Sequence, residues 1–118
     1  MPEPIKILIV DDDEDVLIAL ERTLEGEGYR TATAWSGREA LQLAETGRFD
    51  VLLVDEHLCD VEAATLCAEL LRRQPAAVRF LMYARKDKPV NPLAVVDMNV
   101  CKWEHSEVTA RIRRHLAA

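Results

Sequence analysis

The stretch that decides the fold is IKILIVDDD at residues 5–13, an apolar run that ends in three consecutive carboxylates. A second run of the same kind, VLLVD, occupies residues 51–55. Short runs rich in Ile, Val and Leu are typical of strands that are buried on both faces of a parallel sheet. Ligands of an open α/β sheet bind beyond the carboxyl ends of its strands, so the two acidic ends predict one shared site.

The carboxylates of Asp11, Asp12 and Asp55 converge if these two strands are neighbours in the sheet. Like charges at short distance raise one another's pKa and cost free energy, so such a cluster favours a bound cation. An all-oxygen ligand set suits Mg²⁺, Mn²⁺ or Ca²⁺. Residues 11–15 taken alone would fit a solvated helix start equally well, because acids favour that end of a helix dipole. Because Asp55 stands at the end of a second buried strand, the sequence favours a metal-assisted acidic site.

Strand and helix patterns alternate along the whole chain. The predicted strands cover residues 6–10, 29–34, 51–54, 78–83 and 99–101, and the predicted helices cover 14–27, 36–47, 62–73 and 106–116. Residues 85–92 contain two prolines and four charges and predict a loop, followed by at most a short helix over 93–96. We therefore expect an α/β fold: a flavodoxin-like (βα)5 doubly wound parallel sheet, strand order 2-1-3-4-5, with a short or irregular fourth helix.

Composition narrows the classes of function. The 118 residues are expected to form a single domain, 1–118, with 49% hydrophobic and 31% charged residues, as in an ordinary globular protein. A net charge of −6 argues against nucleic-acid binding by this domain. Three cysteines without a CxxC spacing favour a reduced, cytoplasmic setting. Neither a signal peptide nor a membrane span is expected, since no apolar stretch approaches about 20 residues.

A lysine would complete the acidic site, because phosphoryl transfer depends mainly on positioning and on neutralisation of charge. Lys102 follows the fifth predicted strand and therefore lies at the same sheet edge. At these residues the sequence resembles the receiver domain of two-component response regulators. The resemblance covers essentially the whole chain, and its strongest parts are residues 7–13, 34–41, 49–55 and 110–116, together with Lys102.

The resemblance implies a role for each matching position. Asp55 would accept a phosphoryl group from a histidine kinase or phosphotransfer protein. Lys102 and the backbone N–H of Ala84 would contact the phosphoryl oxygens.

The metal ligands follow from the same resemblance. Asp12 and Asp55 would bind Mg²⁺ (or Mn²⁺) directly, Asp11 would act partly through water, and the backbone carbonyl of His57 would complete the protein ligands.

The chain departs from the pattern of this family at the positions that convert phosphorylation into a surface change. Tyr83 stands where the family has Thr or Ser, Asn99 where it has an aromatic residue, and Trp103 where it has proline. Leu58 and Cys59 replace a Met-Pro turn. One hypothesis is that Tyr83 permanently fills the space of the missing aromatic residue and leaves the output face preset.

Three functions compete at this point. The leading one is a phosphoacceptor domain of two-component signal transduction, with at most self-phosphorylation and self-dephosphorylation activity, that signals to an output domain or partner protein. The alternative is a phosphorylation-independent pseudo-receiver that acts as a protein-interaction module. A Mg²⁺-dependent phosphatase with an Asp nucleophile is the third, and His57 counts against it because a second acid is expected there.

Overall fold

The computed structural model describes residues 4–83 and 98–117, and the strands in these ranges form one parallel sheet. The strands are β1 (Lys6–Val10), β2 (Arg30–Ala34), β3 (Val51–Asp55), β4 (Val78–Tyr83) and β5 (Met98–Cys101). The helices are α1 (Glu14–Gly26), α2 (Gly37–Thr46), α3 (Ala63–Arg73) and α4 (His105–Ala117). The order β2-β1-β3-β4-β5 confirms the predicted flavodoxin-like topology. The short helix expected over residues 93–96 lies outside the described residues.

The sheet separates two hydrophobic cores, as the continuous apolar runs of β1 and β3 require. Alternate side chains of β1 point to opposite faces, so Ile7 and Ile9 join one core while Leu8 and Val10 join the other. Helices α1 and α4 cover the first core, and α2 and α3 cover the second. Every residue of β3 is buried, which places its carboxyl end inside the molecule and not on its rim.

Local signals fix where two of the helices begin and end. Asp13, one of the two residues expected to cap α1, accepts a hydrogen bond from the backbone N–H of Asp15 at 2.9 Å. Ser36 caps α2 in the same manner through the N–H of Glu39 at 3.1 Å. Gly28 follows α1 with φ of +94°, a backbone conformation that favours glycine, and so ends the helix.

The buried face of α3 differs in part from the expected one. Leu66 and Leu70 are buried as the helical spacing predicts, but Leu71 is only partly buried and Cys67 takes its place in the core. The stripe that faces the sheet begins at Ala63 and continues at steps of three and four. A small thiol fits this stripe as a hydrophobic residue, which the leucine pattern alone did not indicate.

A buried glutamine ties the end of α3 to the end of α2. The Oε1 of Gln74 accepts from the backbone N–H of Phe49 at 3.0 Å. Its Nε2 donates to the carbonyls of Ala44 at 2.9 Å and Gly47 at 2.8 Å. One side chain therefore binds three backbone groups, one in the last turn of α2 and two in the connection between α2 and β3.

No helix in the described ranges is both long enough and apolar enough to span a bilayer.

We predict that Gln74→Ala lowers the free energy of unfolding by about 2 to 4 kcal/mol, because three backbone groups lose their buried partner. Gln42→Ala is the matched control, since Gln42 is exposed on α2 and alanine is a better helix former. Urea unfolding of the two variants and the unmodified protein measures the difference. Equal stability of the two variants would contradict the assigned network.

Candidate functional site

The parallel pairing of β1 and β3 brings the predicted carboxylates together. Val10 pairs with Val54, so the next residues, Asp11 and Asp55, are neighbours at the carboxyl edge of the sheet. One carboxylate oxygen from each of Asp11, Asp12 and Asp55 lies within 4.8 Å of the other two. Asp11 and Asp55 are buried, whereas Asp12 is exposed and forms the outer side of the cluster.

Lys102 enters the cluster from the far side of β4. The pairing of Tyr83 with Cys101 sets the position of Lys102, whose backbone N–H donates to the Tyr83 carbonyl at 3.0 Å. Its Nζ lies 3.2 Å from Asp11 Oδ2 and 3.5 Å from Asp55 Oδ1, and only 8% of the residue is exposed. A single ammonium facing three carboxylates leaves excess negative charge, which a divalent cation would offset.

Burial and mutual repulsion perturb both buried carboxyl groups. Burial raises the pKa of Asp11, against the stabilising effects of the Asp13 N–H and of Lys102. Burial, followed by the charge of Asp11, raises the pKa of Asp55 to about 6. Burial opposes the charge of Lys102, but the carboxylates of Asp55 and Asp11 together outweigh it and raise the pKa of its ammonium. Groups poised in this way at a sheet edge are typical of functional sites.

The donor set fits a hard divalent cation. All three candidate ligands, Asp11, Asp12 and Asp55, offer oxygen, the ligand type that Mg²⁺, Mn²⁺ and Ca²⁺ prefer. The backbone N–H of Asp13 donates to Asp11 Oδ1 at 2.9 Å, which fixes the orientation of that carboxylate. The residues present therefore suit the cation that the sequence predicts.

The structure places the remaining predicted residues around this cluster. His57 is exposed in the loop after β3, and its backbone forms an isolated bridge with Glu62. Tyr83 ends β4 and is partly buried, and Asn99 is partly buried in β5. Ala84 lies outside the described residues.

The sequence does not predict two contacts near the site, one made by Cys59 and one made by Asp60. The Sγ of Cys59 lies 3.1 Å from Asp12 Oδ2, and this contact with Asp12 raises the pKa of the thiol. Asp60 accepts hydrogen bonds from the backbone N–H groups of Gly37 and Arg38, at the start of α2. Neither contact has a sequence signal, because each joins the loop after β3 to residues more than 20 positions earlier.

A family model described as the response regulator receiver domain matches residues 7–114. The chain belongs to this family. Among curated relatives, the alkaline phosphatase synthesis transcriptional regulatory protein PhoP of Bacillus subtilis (strain 168) is 34% identical over 113 residues. The match covers 92% of this chain and 47% of that protein, so the receiver domain spans about half the length of this relative.

Two solved receiver structures illustrate the likeness in fold. A CheY-like receiver domain protein from Methanospirillum hungatei has a TM-score of 0.87 at 28% identity, covering 98% of this chain and 95% of the other. A response regulator from Burkholderia pseudomallei, crystallised with a phosphorylated aspartic acid, calcium ion and citrate, has a TM-score of 0.75 at 28% identity. That match covers 90% of this chain and 65% of the other.

We predict that the pKa of Asp55 makes stability depend on pH. With a pKa of about 6 in the fold and about 4 in the unfolded chain, the native state holds a proton that the unfolded chain has released. The free energy of unfolding of the unmodified protein, relative to that of Asp55→Asn, should therefore fall by about 2 kcal/mol as pH rises from 4 to 7. Urea unfolding without divalent ions at several pH values measures this difference.

Asp11→Asn provides a second comparison, since burial raises the pKa of Asp11 in the same direction. The free energy of unfolding of the unmodified protein, relative to that of Asp11→Asn, should likewise fall as pH rises. Differences that stay constant across this pH range in both variants would contradict the assigned electrostatics.

Proposed function

We propose that this receiver domain, residues 1–118, accepts a phosphoryl group on Asp55 in two-component signal transduction. The observation that carries the proposal is the position of the Asp55 carboxylate, buried between the ammonium of Lys102 and the carboxylates of Asp11 and Asp12. This arrangement offers a nucleophilic oxygen, a fixed cation and a place for a divalent cation within one cluster.

Asp55 is a better acceptor than its buried neighbour. Both oxygens of Asp11 are engaged, Oδ1 by the Asp13 N–H at 2.9 Å and Oδ2 by Lys102 at 3.2 Å. The contact of Asp55 Oδ1 with Lys102 is longer, at 3.5 Å. The backbone N–H of His57 also stabilises the Asp55 carboxylate, so the preference for Asp55 rests on its weaker contact with Lys102.

The chemical step is a transfer from a phosphohistidine of a histidine kinase or phosphotransfer protein. An Asp55 oxygen attacks the phosphorus, a P–O bond forms as the P–N bond breaks, and the electron pair stays on the imidazole nitrogen, which takes up a proton. The Lys102 ammonium neutralises charge on the phosphoryl oxygens throughout. The backbone N–H of Ala84 is proposed as a further donor to them.

The metal site is part of the same proposal. Asp12 and Asp55 would hold Mg²⁺ (or Mn²⁺) with the backbone carbonyl of His57, and Asp11 would act partly through water. Bound there, the ion supplies positive charge that offsets repulsion between the carboxylates and the phosphoryl oxygens. The phosphorylated aspartic acid and calcium ion of the Burkholderia pseudomallei structure support this assignment.

The partners follow from the chemistry. We propose that the domain works in the cytoplasm, receives its phosphoryl group from a histidine kinase or phosphotransfer protein, and signals to an output domain or partner protein. Its own catalysis would be limited to self-phosphorylation and self-dephosphorylation. A net charge of −6 gives no support for nucleic-acid binding by this domain.

Tyr83 favours a second candidate, a pseudo-receiver that binds a partner without phosphorylation. This residue stands where the resembled family has Thr or Ser, and the pairing of β4 with β5 places it beside Cys101, next to Lys102. A bulky ring at this position cannot make the short hydroxyl contact with a phosphoryl group that Thr or Ser makes. The two candidates agree on the fold and differ in whether Asp55 is modified.

We predict that incubation with a small phosphodonor and Mg²⁺ adds one phosphoryl group to the domain. Intact mass spectrometry should show this gain, and Asp55→Asn should abolish it because the nucleophile is lost. Asp50→Asn is the matched control. Asp50 lies at the opposite end of β3, where its carboxylate accepts a hydrogen bond from the backbone N–H of Lys6 at 3.0 Å. This control should be phosphorylated like the unmodified protein.

Either of two results would contradict the proposal. Absence of any adduct in a folded protein that binds Mg²⁺ would favour the pseudo-receiver. An adduct that persists in Asp55→Asn would place the acceptor elsewhere.

A further inference from the structure

The loop between β3 and α3, residues 56–62, is bound to the first turn of α2. The carboxylate of Asp60 accepts hydrogen bonds from the backbone N–H groups of Gly37 and Arg38, both at 3.0 Å. These are N–H groups for which the helix itself has no acceptor. The same two donors lower the pKa of Asp60, as expected for a carboxylate at a helix N-terminus.

Close packing reinforces this link. Gly37 is buried, and a Cβ at this position would overlap the Cγ1 of Val61. The absence of a side chain at residue 37 lets Val61 pack in this position, and a Cβ there would require the Val61 side chain to shift. Asp60 and Val61 together fix the outer end of the loop on α2 through both a polar and a steric contact.

The inner end of the loop leads directly to the proposed metal site. The backbone N–H of Glu56 donates to the Met82 carbonyl at 2.9 Å, and the backbone of His57 forms a bridge with Glu62. This bridge joins the two arms of the loop, which start at His57 and end at Glu62, so that movement of one arm is coupled to the other. The His57 carbonyl lies on the arm next to Asp55, and Asp60 lies between the two bridged residues.

We propose that Asp60 is a positioning residue for the divalent cation: by binding the N-terminus of α2, it holds the loop so that the His57 carbonyl faces the site. The inference rests on the proposed function, because it takes that carbonyl as a metal ligand. If the loop is already ordered, binding of the ion does not have to pay the entropy of ordering it, so the site binds the ion more tightly. Residues that orient metal ligands in other proteins act in the same way.

The experiment compares two caps of the same helix. Asp60→Ala removes the cap that comes from the loop, whereas Ser36→Ala removes the local cap on the Glu39 N–H and leaves the loop bound. Isothermal titration with Mg²⁺ should show about tenfold weaker binding for Asp60→Ala. Binding by Ser36→Ala should match the unmodified protein. Asp60→Asn keeps one of the two acceptor oxygens and should recover part of the lost affinity.

Gly37→Ala gives an independent variant, because the added methyl group overlaps the Cγ1 of Val61 and forces that side chain to shift. It should also weaken Mg²⁺ binding, while Asp60 itself is unchanged. Weaker binding by both variants, with the Ser36→Ala control unaffected, supports the positioning role.

The failures are distinguishable. If the unmodified domain binds Mg²⁺ and is phosphorylated, and Asp60→Ala binds the ion equally well, the positioning role is wrong and the proposed function stands. Equal losses in Asp60→Ala and Ser36→Ala would also overturn the role, since helix stability would then explain both. A folded, unmodified domain that binds no Mg²⁺ would overturn the metal site and this inference together.

Discussion

The buried contact of Lys102 with Asp11 and Asp55 is the constraint on which the rest of the structure depends. Its three side chains lie at the carboxyl ends of β5, β1 and β3, and they meet in the observed strand order, in which β4 lies between β3 and β5. Removing charges from water costs several kcal/mol per ion, and pairing offsets that cost only in good geometry. The sheet order, the strand register and the state of the acidic site are therefore linked.

Much of this arrangement could be predicted from the sequence because its signals are local. Apolar runs, turn residues and the alternation of strand and helix patterns gave the five strands and their order. The meeting of Asp11 and Asp55 then follows from strand adjacency alone. The burial of Lys102 does not follow, since lysine is usually exposed; the sequence placed this lysine at the same sheet edge, and the family resemblance added its role.

The contacts that the sequence did not reveal join distant positions through polar groups. Asp60 binds α2 across 23 positions, and Gln74 binds the Ala44 carbonyl across 30. Both residues stand between predicted elements, where polar side chains resemble solvated loop residues, and no periodic pattern marks their partners. The burial of Cys67 in place of Leu71 has a different cause. The spacing of leucines in a short helix does not fix which side of the helix faces the sheet, and packing decides it.

Asp60 and Gln74 lie on either side of α3, one before its first residue and the other after its last, and each binds one end of α2. An isolated helix of this length is marginal in water, so α2 depends on these attachments and on the core beneath it. Opening α2 breaks contacts at both ends of α3. The two helices should consequently exchange their amide hydrogens as one cooperative unit, separate from α1 and α4 on the opposite face of the sheet.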